Sequence, residues 1–276
     1  MKIGIVGLGL IGGSMSKAIK ETKEHLVYGY DIVESTVLAA QLTEAIDEPL
    51  DEKKLKECDI VIVSLYPEST VDYITKNADN FKKDCIVFDC SGVKRFVCNK
   101  INPIAKKHEF TFIGGHPMAG TQAWGFSSSR ASLFKGASMI LTPNGISDIA
   151  VLDKAKHFFL SLGFSEITFS SPEEHDKIIA YTSQLAHIVS SAYVQSPASA
   201  ERKGFSAGSY KDMTRVAKLN DEMWTELFIE NSDNLTVEID TLIETLQKFK
   251  SAVSDRDSEK LSSLLKEGKS TKKQVG

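Results

Sequence analysis

The segment GIVGLGLIGGS, residues 4–14, decides the fold. It joins an apolar, β-branched run, KIGIV (2–6), to a helical pattern over 11–22, and it carries Gly7-x-Gly9-x-x-Gly12 at the junction. A strand that passes into a helix through glycines at this spacing is the phosphate-binding turn of a dinucleotide fold. Gly7 permits the tight turn, Gly9 lets backbone approach a pyrophosphate, and Gly12 lets the helix lie close on the sheet. The helix N-terminus then faces the anion. Asp31 closes the second strand, nineteen residues beyond Gly12. A carboxylate there accepts hydrogen bonds from ribose hydroxyls and repels a 2′-phosphate, which favours NAD over NADP. The bland alternative, in which the glycines only make a turn and Asp31 only caps the next helix, leaves this spacing without a reason.

Outward from this unit the pattern repeats. LVYGYD (26–31), DIVIVSL (59–65), CIVFDC (85–90), FTFIGG (110–115), ASMILT (137–142) and SEITFS (165–170) read as further strands. The first four strands are almost continuously apolar, as strands covered on both faces must be. Helical patterns fill 34–43, 68–80, 93–107 and 148–162 between them. The alternation predicts an α/β fold with a doubly wound, mainly parallel Rossmann-type sheet. After Pro172 no strand-like run follows. One long helix is expected up to Pro197 and another amphipathic stretch over 221–253. The expected division is therefore a dinucleotide-binding domain at 1–171 and an all-helical domain at 172–276. The polar, basic tail KEGKSTKKQVG (266–276) reads as a frayed end and receives no role.

Composition narrows the function. A net charge of −4 argues against a general nucleic-acid binder, which would present a basic face. No apolar stretch approaches a membrane span, and residue 1 leads straight into a strand, so a cytoplasmic protein is expected. None of the four cysteines, Cys58, Cys85, Cys90 and Cys98, forms a CxxC zinc pair, and reduced thiols without a metal are the expectation.

In an open α/β sheet, ligands gather beyond the carboxyl ends of the strands. Ser64, Leu65 and Tyr66 follow one such strand, Ser91 a second and His116 a third. With Leu10 and Ile11 of the glycine turn, Ser64, Leu65, Tyr66 and Ser91 join Gly7, Gly9, Gly12 and Asp31 as candidate cofactor contacts. His116, in GGHPMAG (114–120), is the rim group whose ordinary pKa suits it to accept an alcohol proton. Taken alone, it reads equally well as a structural residue.

Four stretches, GLGLIGGS, DCSGVK, GGHPMAGT with the following GF, and AGSYKDMTRVA, occur in an order that resembles the prephenate dehydrogenase family, which includes arogenate dehydrogenases. The likeness spans about residues 1 to 250. It implies NAD(P)-dependent oxidative decarboxylation of a cyclohexadienol, with a small-molecule substrate, prephenate or arogenate, and pairing of two chains through the helical domain. It also implies that His116 accepts the ring hydroxyl proton and that Ser91 bonds the same hydroxyl. Arg215 would hold a substrate carboxylate, with Asp212 one turn earlier able to orient it. His187 and Trp224 match pocket residues. Gln184 stands where the family often carries a second histidine, and is a candidate polar contact. His175 reads equally as a surface or a pocket residue. Sequence leaves prephenate and arogenate undecided. More distant readings, a β-hydroxyacid dehydrogenase or imine reductase and a non-catalytic NAD-responsive protein, would not need the His116 motif.

Overall fold

A computed structural model describes residues 1–143, 145, 146 and 148–275. Eight strands form one sheet: β1 (Lys2–Val6), β2 (Leu26–Tyr30), β3 (Glu48–Pro49), β4 (Ile60–Val63), β5 (Ile86–Asp89), β6 (Thr111–Pro117), β7 (Ser138–Thr142) and β8 (Glu166–Phe169). Their order is β3-β2-β1-β4-β5-β6-β7-β8, parallel throughout except where β7 runs antiparallel to β6. The helices of this region are α1 (Leu10–Thr22), α2 (Glu34–Leu42), α3 (Glu52–Leu55), α4 (Pro67–Lys76), α5 (Arg95–His108) and α6 (Ile149–Ser161). The two-residue β3 was not legible, because Glu48–Pro49 is too short to show any alternation.

Period-two alternation sorts the strand residues into two layers. Ile3, Ile5, Ile60, Ile62 and Phe88 face one apolar cluster, which also takes Met15 and Ile19 of α1 and Phe159 of α6. Val61, Val63 and Val87 face the other, with Val97 and Ile101 of α5. Strands buried on both sides in this way explain the near-continuous apolar runs in the sequence.

Helices alone follow: α7 (Pro172–Ile179), a π-helical turn (Ala180–Leu185), α8 (Ala186–Val194), α9 (Gly208–Thr214), α10 (Asp221–Glu230), α11 (Ser232–Ser254) and α12 (Ser258–Val275). The helix expected from 172 to 197 is thus interrupted. Residues 175 and 187 would lie about 120° apart on an unbroken α-helix, and the extra residue of a π turn reduces this to about 20°. The tail expected to fray is helical through Val275, and residues 266–274 of it are exposed; Gly276 lies outside the described residues. Among the described residues, no helix is long and apolar enough to cross a membrane.

β6 changes partner halfway. Thr111–Ile113 pair with β5, whereas residues 114–117 pair with β7, so His116 lies beyond the end of β5. A buried ion pair holds this corner. Lys94 Nζ binds Asp89 Oδ2, with both side chains fully inaccessible, and also donates to the Gly115 carbonyl at 2.6 Å. Asp89 further accepts the N–H groups of Ser91 (2.9 Å) and Gly115 (3.0 Å). Only glycine fits at 115, where a Cβ would stand 2.5 Å from the Asp89 carbonyl oxygen. Removing one partner of such a pair leaves a buried uncompensated charge. Lys94→Ala is expected to lower the stability of the chain by about 3–5 kcal/mol, measured by urea denaturation.

Candidate active site

The glycine turn fits a dinucleotide. Gly7 has φ +82°, and a Cβ on Gly12 would lie 1.8 Å from the Gly7 carbonyl oxygen, so both glycines are dictated by the turn itself. Gly9 differs, because a Cβ there would meet nothing within 4 Å. Its freedom from a side chain keeps open a space at the start of α1. That helix has no side-chain cap and no acid in its first turn, so its N–H groups and positive end are free for an anion. Leu10 and Ile11, both half-buried, anchor this first turn to the core. Leu65 packs against Gly7, and Ser64 Oγ is buried without a hydrogen-bond partner beside the same turn.

Asp31 belongs to this cradle. One carboxylate oxygen accepts Leu8 N–H of the glycine turn at 2.8 Å and the other accepts Val33 N–H at 2.9 Å. The cap residue of α2 is Val33, so Asp31 braces the turn instead of capping the next helix. Tyr66 precedes α4 and stands partly exposed at the rim.

Ser91 and His116 are brought to the same corner by one carboxylate, since Asp89 holds the backbone of residues 91 and 115. Ser91 is buried, with its hydroxyl 3.4 Å from that of Thr70. Thr70 donates to the Leu65 carbonyl, so Ser91 is the donor of that pair and keeps its oxygen free to accept. His116 is half-buried, with Nδ1 2.9 Å from Nε2 of His175. Burial, followed by the His175 ring and the Lys94 ammonium, pushes the His116 pKa well below 6.5, so the imidazole is neutral near pH 7.

His175 is not a surface residue. It is 2% exposed, and its Nδ1 lies 2.7 Å from Oδ1 of Asp176. Asp176, also inaccessible, accepts the N–H groups of Lys94 (2.7 Å) and Arg95 (2.9 Å) and the Arg95 Nε (3.2 Å). These bonds cap α5 from the helical region. Arg95 extends the junction to Asp233 and to Asn231 at 3.0 Å. His175, Asp176, Asp89, Lys94 and Arg95 are the site residues that sequence reasoning missed or left open. The dipeptide His175-Asp176 and the Asp89 and Lys94 ends of DCSGVK were visible, but only tertiary folding shows that they meet.

The helical residues fall into two groups. His187 stacks on Trp224 with ring centroids 3.9 Å apart and donates Nδ1–H to the Ser183 carbonyl at 2.8 Å. Burial lowers its pKa despite that bond, and the Arg215 guanidinium lowers it further. Arg215 is exposed, and its carbonyl accepts from Gln122, in the loop after β6. Asp212, expected to orient Arg215, makes no ion pair with it; both are exposed, where such a pair gains little. Gln184 sits apart. It is 1% exposed, donates to the Leu227 carbonyl at 3.0 Å and accepts from Asn231 at 2.8 Å. The expected polar contact is thereby a brace between the π turn and the start of α11, with little left to offer a substrate.

A nucleotide cradle on one side of the sheet rim, with a neutral histidine braced from an appended helical layer, defines the class: a two-domain dehydrogenase. Comparison with known proteins then specifies it. Residues 15–167 match the family model of the prephenate dehydrogenase nucleotide-binding domain, and residues 171–267 that of its dimerization domain. Prephenate dehydrogenase of Bacillus subtilis (strain 168) is 30% identical over 268 residues, covering 93% of this chain and 71% of the relative. The crystal structure of prephenate dehydrogenase from A. aeolicus with hydroxyphenyl propionate and NAD+ superposes with a TM-score of 0.87 at 29% identity, covering 100% of this chain and 98% of that one. Synechocystis arogenate dehydrogenase superposes at 0.85 with 26% identity, covering 100% of both chains. The chain belongs to the prephenate dehydrogenase family.

The two kinds of glycine give a direct test of the cradle. Gly9→Ala is expected to fold with unchanged thermal stability, because its Cβ enters open space, yet to bind the dinucleotide at least about tenfold more weakly by calorimetry. Gly12→Ala, by contrast, is expected to lower the melting temperature.

Proposed function

We propose that the chain catalyses NAD-dependent oxidative decarboxylation of prephenate to 4-hydroxyphenylpyruvate. The observation that carries this reading is His116, a neutral imidazole held at the strand-end rim beside Ser91 by the shared Asp89 anchor. His116 accepts the proton of the ring hydroxyl, and Ser91, its O–H turned from Thr70, donates to the oxygen of the same hydroxyl. NAD, when bound in the glycine cradle, supplies the hydride acceptor for the ring carbon. Gly7, Gly9, Leu10, Ile11 and Gly12 would hold it at the turn, Asp31 at the ribose, and Ser64, Leu65, Tyr66 and Ser91 along the rim. Cleavage of the bond to the ring carboxylate leaves its electron pair in the ring, and aromatisation drives that loss without a strong electrophile from the protein. Arg215 holds a carboxylate of the substrate, for which a planar, permanently charged guanidinium is suited. His187 and Trp224 form an aromatic wall beside it.

The likeness to Synechocystis arogenate dehydrogenase favours a second reading in which arogenate is oxidised to tyrosine. The two substrates differ only in a keto or an ammonium group. Four steady-state assays, each substrate with NAD and with NADP, separate them; turnover of prephenate with NAD is expected, and activity with neither substrate overturns both readings.

Two variants and a pH profile test the roles. His116→Asn is expected to lower kcat by about 10²–10⁴-fold. Arg215→Ala is expected mainly to raise the substrate KM, by about tenfold or more. His116 must be unprotonated to act, and its pKa is depressed, so kcat/KM should fall only as pH drops through a value below 6.5.

The active unit in this reading is a cytoplasmic homodimer. Ile243, Leu246 and Val253 form an apolar stripe on α11 that the single chain leaves 45%, 57% and 61% exposed. A second copy covers such a face at low cost. All four cysteines are free, as a reducing compartment requires. Sedimentation at micromolar concentration should give the mass of two chains, and Leu246→Asp the mass of one.

A further inference from the structure

We propose that His175 and Asp176 are positioning residues for His116, holding its ring in the Nδ1–H form so that Nε2 is the atom that takes the substrate proton. This rests on the reading of His116 as the base and adds which nitrogen acts and what selects it.

The directions of the bonds follow from the chemistry of the last member. An ionised carboxylate can only accept. Asp176 accepts two backbone N–H groups and the Arg95 Nε, and its bond with His175 Nδ1 at 2.7 Å therefore requires a proton on that nitrogen. Burial by itself would raise the Asp176 pKa, but the hydrogen bonds from His175, Arg95 and Lys94 hold it below 3.8, so the carboxylate is ionised. In neutral His175 the other nitrogen, Nε2, then has only a lone pair. The 2.9 Å contact with His116 is satisfied only if His116 Nδ1 donates, which leaves His116 Nε2 bare.

The reverse polarity is unfavourable. It needs either a doubly protonated His175 or a lone pair of His175 set against the carboxylate. Burial lowers the His175 pKa, and the Lys94 ammonium adds to this, outweighing the bond from Asp176. The charged groups facing the chain are Lys94 with its partner Asp89, and Arg95 with its partner Asp233. Both cations oppose a second positive charge on His175. When His116 takes up a proton at Nε2, its Nδ1–H already points to a neutral acceptor backed by the Asp176 carboxylate. The proton remains on His116, because Asp176 is far too weak a base to receive it.

Carboxylate control of a histidine tautomer has large kinetic consequences in hydrolases, where loss of the orienting carboxylate costs about 10⁴-fold in kcat. The test has two parts. Nitrogen-15 NMR of the histidine rings in the intact chain, with the His116 signals identified by their loss in His116→Asn, should show His116 protonated at Nδ1. In parallel, His175→Leu should lower kcat by about 100-fold, with NAD affinity and substrate KM within about threefold. His175→Gln can accept from His116 with its amide oxygen and donate to Asp176 with its amide nitrogen, and should return kcat to within about tenfold of the parent. A purely structural role would move neither the tautomer nor the rescue.

An Nε2–H form of His116 in the unaltered protein overturns the proposal, as does a His175→Leu variant that keeps kcat within about threefold. Should His175→Leu fail to fold, the NMR measurement on the unaltered chain decides alone. Unchanged kcat in His116→Asn would instead refute the base itself. Loss in His116→Asn with none in His175→Leu would refute only the positioning pair.

Discussion

Lys94 stands between two buried carboxylates, and the arrangement of the site depends on that residue. Its ammonium binds Asp89 at the end of β5, and its backbone N–H binds Asp176 from the first helix of the C-terminal layer. The side-chain bond fixes the sheet corner, because Asp89 also holds the N–H groups of Ser91 and Gly115. The backbone bond ties on the helical layer, because the buried Asp176 carboxylate must be satisfied and takes the Lys94 and Arg95 N–H groups, the Arg95 Nε and His175 to do so. A charge placed in this interior is tolerable only when several donors converge on it. Asp89 meets that condition within the sheet layer, and Asp176 by drawing on both layers at once.

The consequence for chemistry is that His116 is held from two directions. Its backbone is tied through Gly115 to Asp89 and Lys94, and its ring through His175 to Asp176. Burial and the Lys94 charge keep the imidazole neutral, whereas the ionised Asp176 stays at the far end of the chain. Acceptance of a proton thus changes the charge of a residue whose surroundings barely need to move. The substrate side is looser. Arg215 is exposed and joined to the sheet layer through Gln122, whereas His187 and Trp224 stack on each other.

Much of this was legible along the chain. The glycine turn, Asp31, the parallel strands and the rim position of His116 are all local features, each encoded within a strand and the turn that follows it. The helical C-terminal layer was also legible, because periodicity persists without any strand-like run after residue 170. Three features were not. The interruption of the long helix by a π turn at 180–185 shifts the backbone bonds by one residue, and no residue type in AYTSQL announces that shift. Gln184 is polar and beside the pocket helix, yet its amide is consumed by Leu227 and Asn231, which lie more than forty residues away. His175 follows two acids at a helix start, the ordinary signature of a solvent-exposed first turn, and is nevertheless buried.

By itself the sequence determined the sheet, the dinucleotide turn and the rim position of His116, since each depends on residues a few positions apart. Tertiary structure decided which side chains act together. The bonds of Asp176 to Lys94 and Arg95 span about eighty residues, and that of His116 to His175 spans fifty-nine. No local periodicity encodes such pairs. They form because a carboxylate and two imidazoles, once buried by the packing of helices on the sheet rim, are stable only when each finds its donor or acceptor among the others.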